Sequence, residues 1–183
     1  MPSDQYAVFG HPISHSKSPR IHTLFAQQTG QRIEYTARDV PADIFKEELK
    51  NFADGGGRGL SCTVPLKELA WHIANEKSER ANRARAVNTL VIGNDGKLFG
   101  DNTDGVGLMR DLTENLGVTV TGLDILLLGA GGASRGVIDP LLAGKPSRLI
   151  IANRTLAKAE KLASEFSDRG GIAALGFESL NGE

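Results

Sequence analysis

The sequence predicts an α/β protein in two parts, and three observations carry that expectation. Over roughly the first hundred residues, short apolar runs alternate with helical patterns, and Asn94-Asp95-Gly96 gives a strong hairpin signal. A hairpin among strands joined by helices makes that first sheet a mixed one. From Asp124 onward, strands alternate with helices of about 10 residues or more, the pattern of a parallel sheet. Between these parts, the apolar strand Ile125–Leu128 runs straight into Gly129-Ala130-Gly131-Gly132, and a helix follows from about Ala133.

The elements follow in order. Tyr6–Phe9 reads as a strand, and Pro19–Gln28 as a helix with proline in its first turn and Gly30 at its end. Ile33–Arg38 reads as a strand, and Ile44–Phe52 as an amphipathic helix. Gly55-Gly56-Gly57 marks a loop before a strand over Gly59–Thr63. Helices are expected over Leu66–Ala74 and Ser78–Arg85. Val87–Ile92 and Lys97–Gly100 are the two arms of the hairpin. Gly105–Leu116 reads as a helix joining two domains, expected over residues 1–103 and 104–183. Strands over 125–128, 149–152 and 172–175 complete the reading.

Composition narrows the function classes. Hydrophobic residues make up 40% and charged residues 23%, which suits a globular chain rather than a disordered one. Net charge is −1 with both signs interleaved, so nothing favours nucleic acid or an anionic membrane as partner. No run of about 18 apolar residues suggests a membrane span. The start, Met1-Pro2-Ser3-Asp4-Gln5-Tyr6, lacks the basic and apolar regions of a signal peptide. Cys62 is the only cysteine, which fits a reducing cytoplasm and a buried filler rather than a nucleophile. His11, His15, His22 and His72 show no metal-ligand spacing, and no metal site is expected.

The glycine loop carries the first chemical signal. A strand, a tight glycine turn and a helix N-terminus are the parts of a βαβ dinucleotide site. Gly129 permits the turn and Gly131 a close backbone approach to a pyrophosphate, with Gly132, Ala133 and Ser134 opening the helix. Ser134 stands where the third glycine of the usual fingerprint falls. The strand Leu149–Ala152 then ends in Asn153-Arg154-Thr155, where a ribose-binding group belongs. An acid there favours NAD, whereas Arg154 suits the extra phosphate of NADP. Lys158, four residues on, reaches the same spot. Arg135 is read as reaching the pyrophosphate or solvating the helix start. The fold expected for this half is part of a Rossmann-type NADP-binding domain.

Only part of it is accounted for. Three strands make half of a six-strand dinucleotide sheet, and the continuously apolar Ile125–Leu128 would lie at an exposed edge, an aggregation liability. The chain stops at Leu180-Asn181-Gly182-Glu183 without a natural end. A fragment of a longer protein is therefore expected, and an intact-mass measurement against the reading frame tests it.

Four N-terminal segments add to the glycine loop and Asn153-Arg154-Thr155. They are Gly10-His-Pro-Ile-Ser-His-Ser16-Lys-Ser18-Pro19, Ser61-Cys-Thr63-Val-Pro-Leu-Lys67, Ala86-Val-Asn88-Thr, and Gly100-Asp-Asn-Thr-Asp104-Gly. Together, in this order and over the whole chain, they resemble the shikimate dehydrogenase family. The resemblance implies a substrate-binding domain followed by the NADP-binding one, with the active cleft between them. It implies reversible reduction of 3-dehydroshikimate to shikimate by NADPH, on the route to chorismate and the aromatic amino acids. It is also compatible with a homodimer.

The same resemblance assigns the residues. Lys67 and Asp104 stand beside the reacting oxygen, with Lys67 exchanging the proton and Asp104 holding the ammonium and the substrate hydroxyl. A lysine is a poor base at neutral pH unless desolvation outweighs the stabilising carboxylate. Ser16 and Ser18 hold the substrate carboxylate, helped by the helix that follows them. Thr63 and Asn88 meet ring hydroxyls. Ser61 departs from the asparagine usual in the family, which raises the expectation of weaker binding or a shift toward quinate. The family's last substrate-contacting glutamine would fall beyond Glu183. Two alternatives follow: a quinate/shikimate-type relative, and an inactive, truncated binding module.

Overall fold

The computed structural model describes residues 3–180; the terminal Asn181-Gly182-Glu183 lies outside the described residues. The chain divides into two compact units, one through Asn102 and one from Thr103.

The first unit holds β1 (Asp4–Gly10), α1 (Ser18–Thr29), β2 (Ile33–Asp39), α2 (Phe45–Asp54), β3 (Gly57–Cys62) and α3 (Lys67–Ile73). It continues with β4 (Glu76–Lys77), α4 (Glu79–Ala84), β5 (Thr89–Ile92) and β6 (Leu98–Asp101). The sheet runs β2-β1-β3-β5-β6-β4. β1 is parallel to β2 and β3, whereas β5 is antiparallel to β3 and β6, so the sheet is mixed. Helix ends follow local chemistry: α1 stops at Gly30, whose φ of 67° is left-handed, and the Ser78 hydroxyl caps α4 by accepting from the Ala81 N–H.

Strand alternation divides the residues of this sheet between its two faces. Ala7, Phe9, Leu60, Cys62 and Leu90 point to one side and pack with Phe45, Leu49 and Phe52 of α2 and with Leu66 and Ala70 of α3 and its approach. Phe9 meets the Phe52 ring edge-on at 5.6 Å. Tyr6, Tyr35, Ser61, Thr89 and Val91 point to the other side, where α1 lies over β1 and β2.

The second unit starts with α5 (Asp104–Arg110), followed by β7 (Asp124–Leu128), α6 (Gly132–Ala143), β8 (Arg148–Asn153), α7 (Leu156–Glu165) and β9 (Ile172–Gly176). The three strands are parallel in the order β7-β8-β9. Leu149 and Ile151 of the central β8 are fully buried against Ile138 and Leu141 of α6 and Leu162 of α7. At the outer strand β7, Leu126 and Leu128 are 50% and 63% exposed.

Two local features differ from the reading of the sequence. The helix expected over Gly105–Leu116 is α-helical only to Arg110 and continues as a π-helical turn over Asp111–Asn115. There the Thr113 hydroxyl donates to the Met109 carbonyl at 2.8 Å, competing for an acceptor of the ladder. The second is β4, whose two residues are too few to show a period. Within this unit α5 also packs closely on α6. Pro140 has no N–H to return to the Gly136 carbonyl, and a Cβ on Gly105 would lie 2.4 Å from that oxygen. Among the described residues, no helix is long and apolar enough to cross a membrane.

Candidate active site

In the first unit, the N-terminal motifs meet at one end of the sheet. β1 and β3 are parallel, so Gly10 and Cys62 end side by side. The Thr63 N–H donates to the Phe9 carbonyl at 2.9 Å and the His11 N–H to the Val64 carbonyl at 2.8 Å. These bonds lock the two outgoing loops together, each of which contains a cis proline, at Pro12 and Pro65. The fit at Gly10 is tight: a Cβ there would lie 2.4 Å from Thr63 Cγ2. β5 is antiparallel and therefore begins at this same end. Asn88, just before it, accepts from the Cys62 N–H at 2.8 Å and donates its own N–H to the Asp101 carbonyl at 3.0 Å. The Lys67 carbonyl accepts from the Val87 N–H at 2.8 Å, tying the start of α3 to that approach. Thr63, Lys67 and Asn88 thus share one rim.

Ser16 and Ser18 lie where the loop after β1 enters α1, and the Ser16 hydroxyl accepts from the Ser18 N–H at 3.3 Å. Ser61 sits on the α1 side of the sheet, its Oγ 2.8 Å from the Tyr35 hydroxyl. The His22 ring stacks on Tyr35 with 4.0 Å between centroids. Burial lowers the His22 pKa and pushes the Tyr35 phenol up. Cys62, next to Thr63 and on the opposite face of the sheet from Ser61, is buried in the core; burial pushes its thiol far up, opposed by the nearby Lys67 charge.

Asp101 closes β6 at the same rim. It accepts from the Ser78 hydroxyl at 2.6 Å, Arg80 Nε at 2.7 Å and the Asn102 N–H at 2.8 Å. The Asn102 side chain is buried and donates to the Ala86 carbonyl at 2.9 Å. Asp104 is the opening residue of α5, in the second unit.

In the second unit, β7 and β8 end together, with Leu128 opposite Ala152. The Gly129 N–H donates to the Ala152 carbonyl at 2.7 Å, so the glycine loop and Asn153–Lys158 lie next to one another. Gly129 has φ of +103°, a conformation strained for any side chain, and a Cβ on Gly131 would meet nothing within 4 Å. No side chain caps α6. The buried Ser134 hydroxyl instead donates to the Gly129 carbonyl at 2.8 Å, holding the turn. An open loop surface before an uncapped helix start suits a pyrophosphate. The exposed Arg154 and Lys158 have no acidic partner among the described residues, and the Asn153 amide donates to the Thr155 carbonyl at 2.8 Å. These residues fit a dinucleotide with an added phosphate. Arg135 serves neither purpose the sequence suggested: it is 11% exposed and pairs with Glu165 of α7 at 2.5 Å.

The profile of the shikimate dehydrogenase substrate binding domain matches residues 8–90, and that of shikimate / quinate 5-dehydrogenase matches residues 111–182. The NADP(+)-dependent shikimate dehydrogenase of Marinobacter nauticus is 52% identical over all of this chain and 67% of its own length. The chain belongs to the shikimate dehydrogenase family. Its relative of the same name in Methylococcus capsulatus is 62% identical, over 98% of this chain and 64% of its own length. The chain thus spans about two thirds of the length of these curated relatives. The shikimate dehydrogenase structure from Thermus thermophilus in complex with NADP(H) and shikimate superposes with a TM-score of 0.83. It is 36% identical, covering 94% of this chain and 62% of the other.

Within this chain, sequence reasoning passed over Tyr35, His22 and the role of Asp101. The first two become visible only when the register of β2, β1 and β3 is known. Asp101 lay inside a quoted motif, but its partners Ser78 and Arg80 stand more than twenty residues away. Arg80 beside Asp101, helped by Ser78, holds the carboxyl at about 2, below its ordinary 3.8. A carboxylate depressed by folding stabilises the fold above its unfolded pKa, and that contribution is lost as pH falls through the folded value. Acid unfolding followed by circular dichroism should therefore show Asp101 contributing down to about pH 4 and losing its effect toward about pH 2. In Asp101→Asn that part of the acid dependence is expected to disappear; an unchanged profile would refute it.

Proposed function

We propose that this chain performs the shikimate dehydrogenase reaction, the reversible NADPH-dependent reduction of 3-dehydroshikimate to shikimate in the cytoplasm. The observation that carries the reading is the rim in which backbone hydrogen bonds join the segments that hold Gly10, Thr63, Lys67 and Asn88. It places short neutral hydrogen-bonding groups beside an amine, as a polyol acid requires. Ser16 and Ser18 take the carboxylate, Thr63 and Asn88 take ring hydroxyls, and Ser61 faces the same ligand. Lys67 exchanges the proton at the reacting oxygen, and Asp104 holds that hydroxyl.

NADP, when bound, accepts or supplies the hydride. Gly129, Ala130, Gly131, Gly132, Ala133 and Ser134 would hold its pyrophosphate, with Asn153 and Thr155 at the ribose. Arg154 and Lys158 would hold the 2′-phosphate. Arg154→Ala is expected to raise KM for NADP⁺ by about tenfold to a hundredfold, the range of a lost charge-assisted contact, while use of NAD⁺ stays near its starting level. Equal losses with both cofactors would refute that role.

The direct test incubates the purified chain with shikimate and NADP⁺, with quinate and NAD⁺ in parallel, and follows reduced cofactor. Preferential turnover of shikimate with NADP⁺ supports the reading. Ligand-induced stabilisation without turnover would support a binding module instead. The Ser61 hydroxyl, in place of the family's asparagine, favours a second reading in which quinate is also accepted. Competing the two acids in one assay decides between them.

A further inference from the structure

Ser61 is reached by a contact that crosses a whole strand. Tyr35 of β2 stands in register with Tyr6 of β1, whereas Ser61 of β3 stands in register with Val8, two residues further along β1. The Tyr35 side chain therefore lies diagonally over β1, and its hydroxyl comes within 2.8 Å of Ser61 Oγ. His22 of α1 stacks on the tyrosine ring at 4.0 Å and 2° from parallel, covering one face of the ring. These three side chains line a hollow of about 440 Å³ that also includes Thr89, the strand partner of Ser61.

The direction of the bond follows from acidity. A phenol is a stronger acid than an alkyl hydroxyl, and the serine oxygen is the better acceptor, so Tyr35 donates. A serine hydroxyl has one proton and two lone pairs, and this bond occupies one lone pair. We propose that Tyr35 is a positioning residue for substrate: by donating to Ser61 Oγ, it turns the serine's own O–H outward, so position 61 presents a hydrogen-bond donor. The group it meets must then accept, as a ring hydroxyl oxygen does. An asparagine amide would offer both a donor and an acceptor there, so this arrangement narrows what the family's usual residue leaves open. His22 acts one step further back, by holding the ring.

This role rests on the shikimate reading, and its test separates the two. Shikimate binding is measured by titration calorimetry on the parent chain, Tyr35→Phe, Ser61→Ala and the double variant. Tyr35→Phe keeps the ring and its stacking and loses only the hydroxyl. It is expected to weaken binding about fivefold with Ser61 present and less than about twofold once Ser61→Ala is also made. Equal weakening in both backgrounds would overturn the proposal, because Tyr35 would then act without Ser61. A parent chain that binds no shikimate would overturn the shikimate reading itself, and this role with it. A second readout needs no ligand. The chain has 2 tyrosines, so ring-carbon resonances are assigned by Tyr35→Phe. Ser61→Ala should move the Tyr35 signal and leave Tyr6 in place; an unmoved Tyr35 signal would also overturn it.

Discussion

Lys67→Ala is expected to lower turnover by about two to four orders of magnitude while shikimate affinity changes by no more than a few-fold. The split follows from where Lys67 stands. Its backbone is held by the Val87 N–H at the start of α3, a bond that alanine keeps, so the rim is undisturbed. Thr63, Asn88, Ser16 and Ser18, the residues proposed to bind the ring and its carboxylate, also remain. On the proposed reading, what is lost is the group that exchanges a proton at the reacting oxygen, a contribution made in the transition state. Steady-state kinetics with calorimetric binding tests this. Turnover within a few-fold of the parent would remove Lys67 from the proton step. Lysine replaced by arginine should not restore the rate, because a guanidinium cannot release its proton near neutral pH.

Gly10→Ala is expected to act on both stability and binding. The added methyl would sit 2.4 Å from Thr63 Cγ2, 3.0 Å from the Val64 carbonyl oxygen and 3.1 Å from Ile13 Cδ1. At least two of these must move. Threonine is stiff at χ1, and the Val64 carbonyl is already bonded to the His11 N–H, so neither yields freely. Overpacking of this kind costs about 1–3 kcal/mol. Because Thr63 is the residue displaced, shikimate affinity should fall as well, by roughly tenfold, the loss of one to two hydrogen bonds. Thermal unfolding and calorimetric titration of the same variant check both effects. A stable variant that binds normally would mean that the rim adjusts at no cost, against the contacts described.

Local signals reached far into the fold. The Asn94-Asp95-Gly96 turn located β5 and β6, Gly30 ended α1, and the apolar runs over 125–128 and 149–152 located β7 and β8. Each is a short-range effect of turn chemistry or periodicity. The order β2-β1-β3-β5-β6-β4 was not legible, because strand pairing depends on contacts distant in sequence. Tyr35 and Ser61 are 26 residues apart and Arg135 and Glu165 are 30 apart, so neither pair leaves a local trace. Arg135, following a glycine loop, read as reaching the pyrophosphate or solvating the helix start; only the fold brings it to its partner Glu165. The candidate site was readable only through whole motifs. Periodicity alone would have left Thr63 and Asn88 as ordinary residues at strand ends.

The alternation in β3 has a consequence for how such a protein can change. Leu60 and Cys62 face the core, while Ser61 faces the side of the sheet that carries Tyr35 and α1, the side of the proposed ligand, so neighbours in the chain answer to different demands. On the proposed reading, a substitution at 61 would alter recognition without opening a void among Phe9, Phe45 and Phe52, and one at 60 or 62 would do the reverse. Selection can therefore tune substrate preference and thermal robustness along separate axes, one residue apart. A serine in place of an asparagine is the kind of step this separation permits.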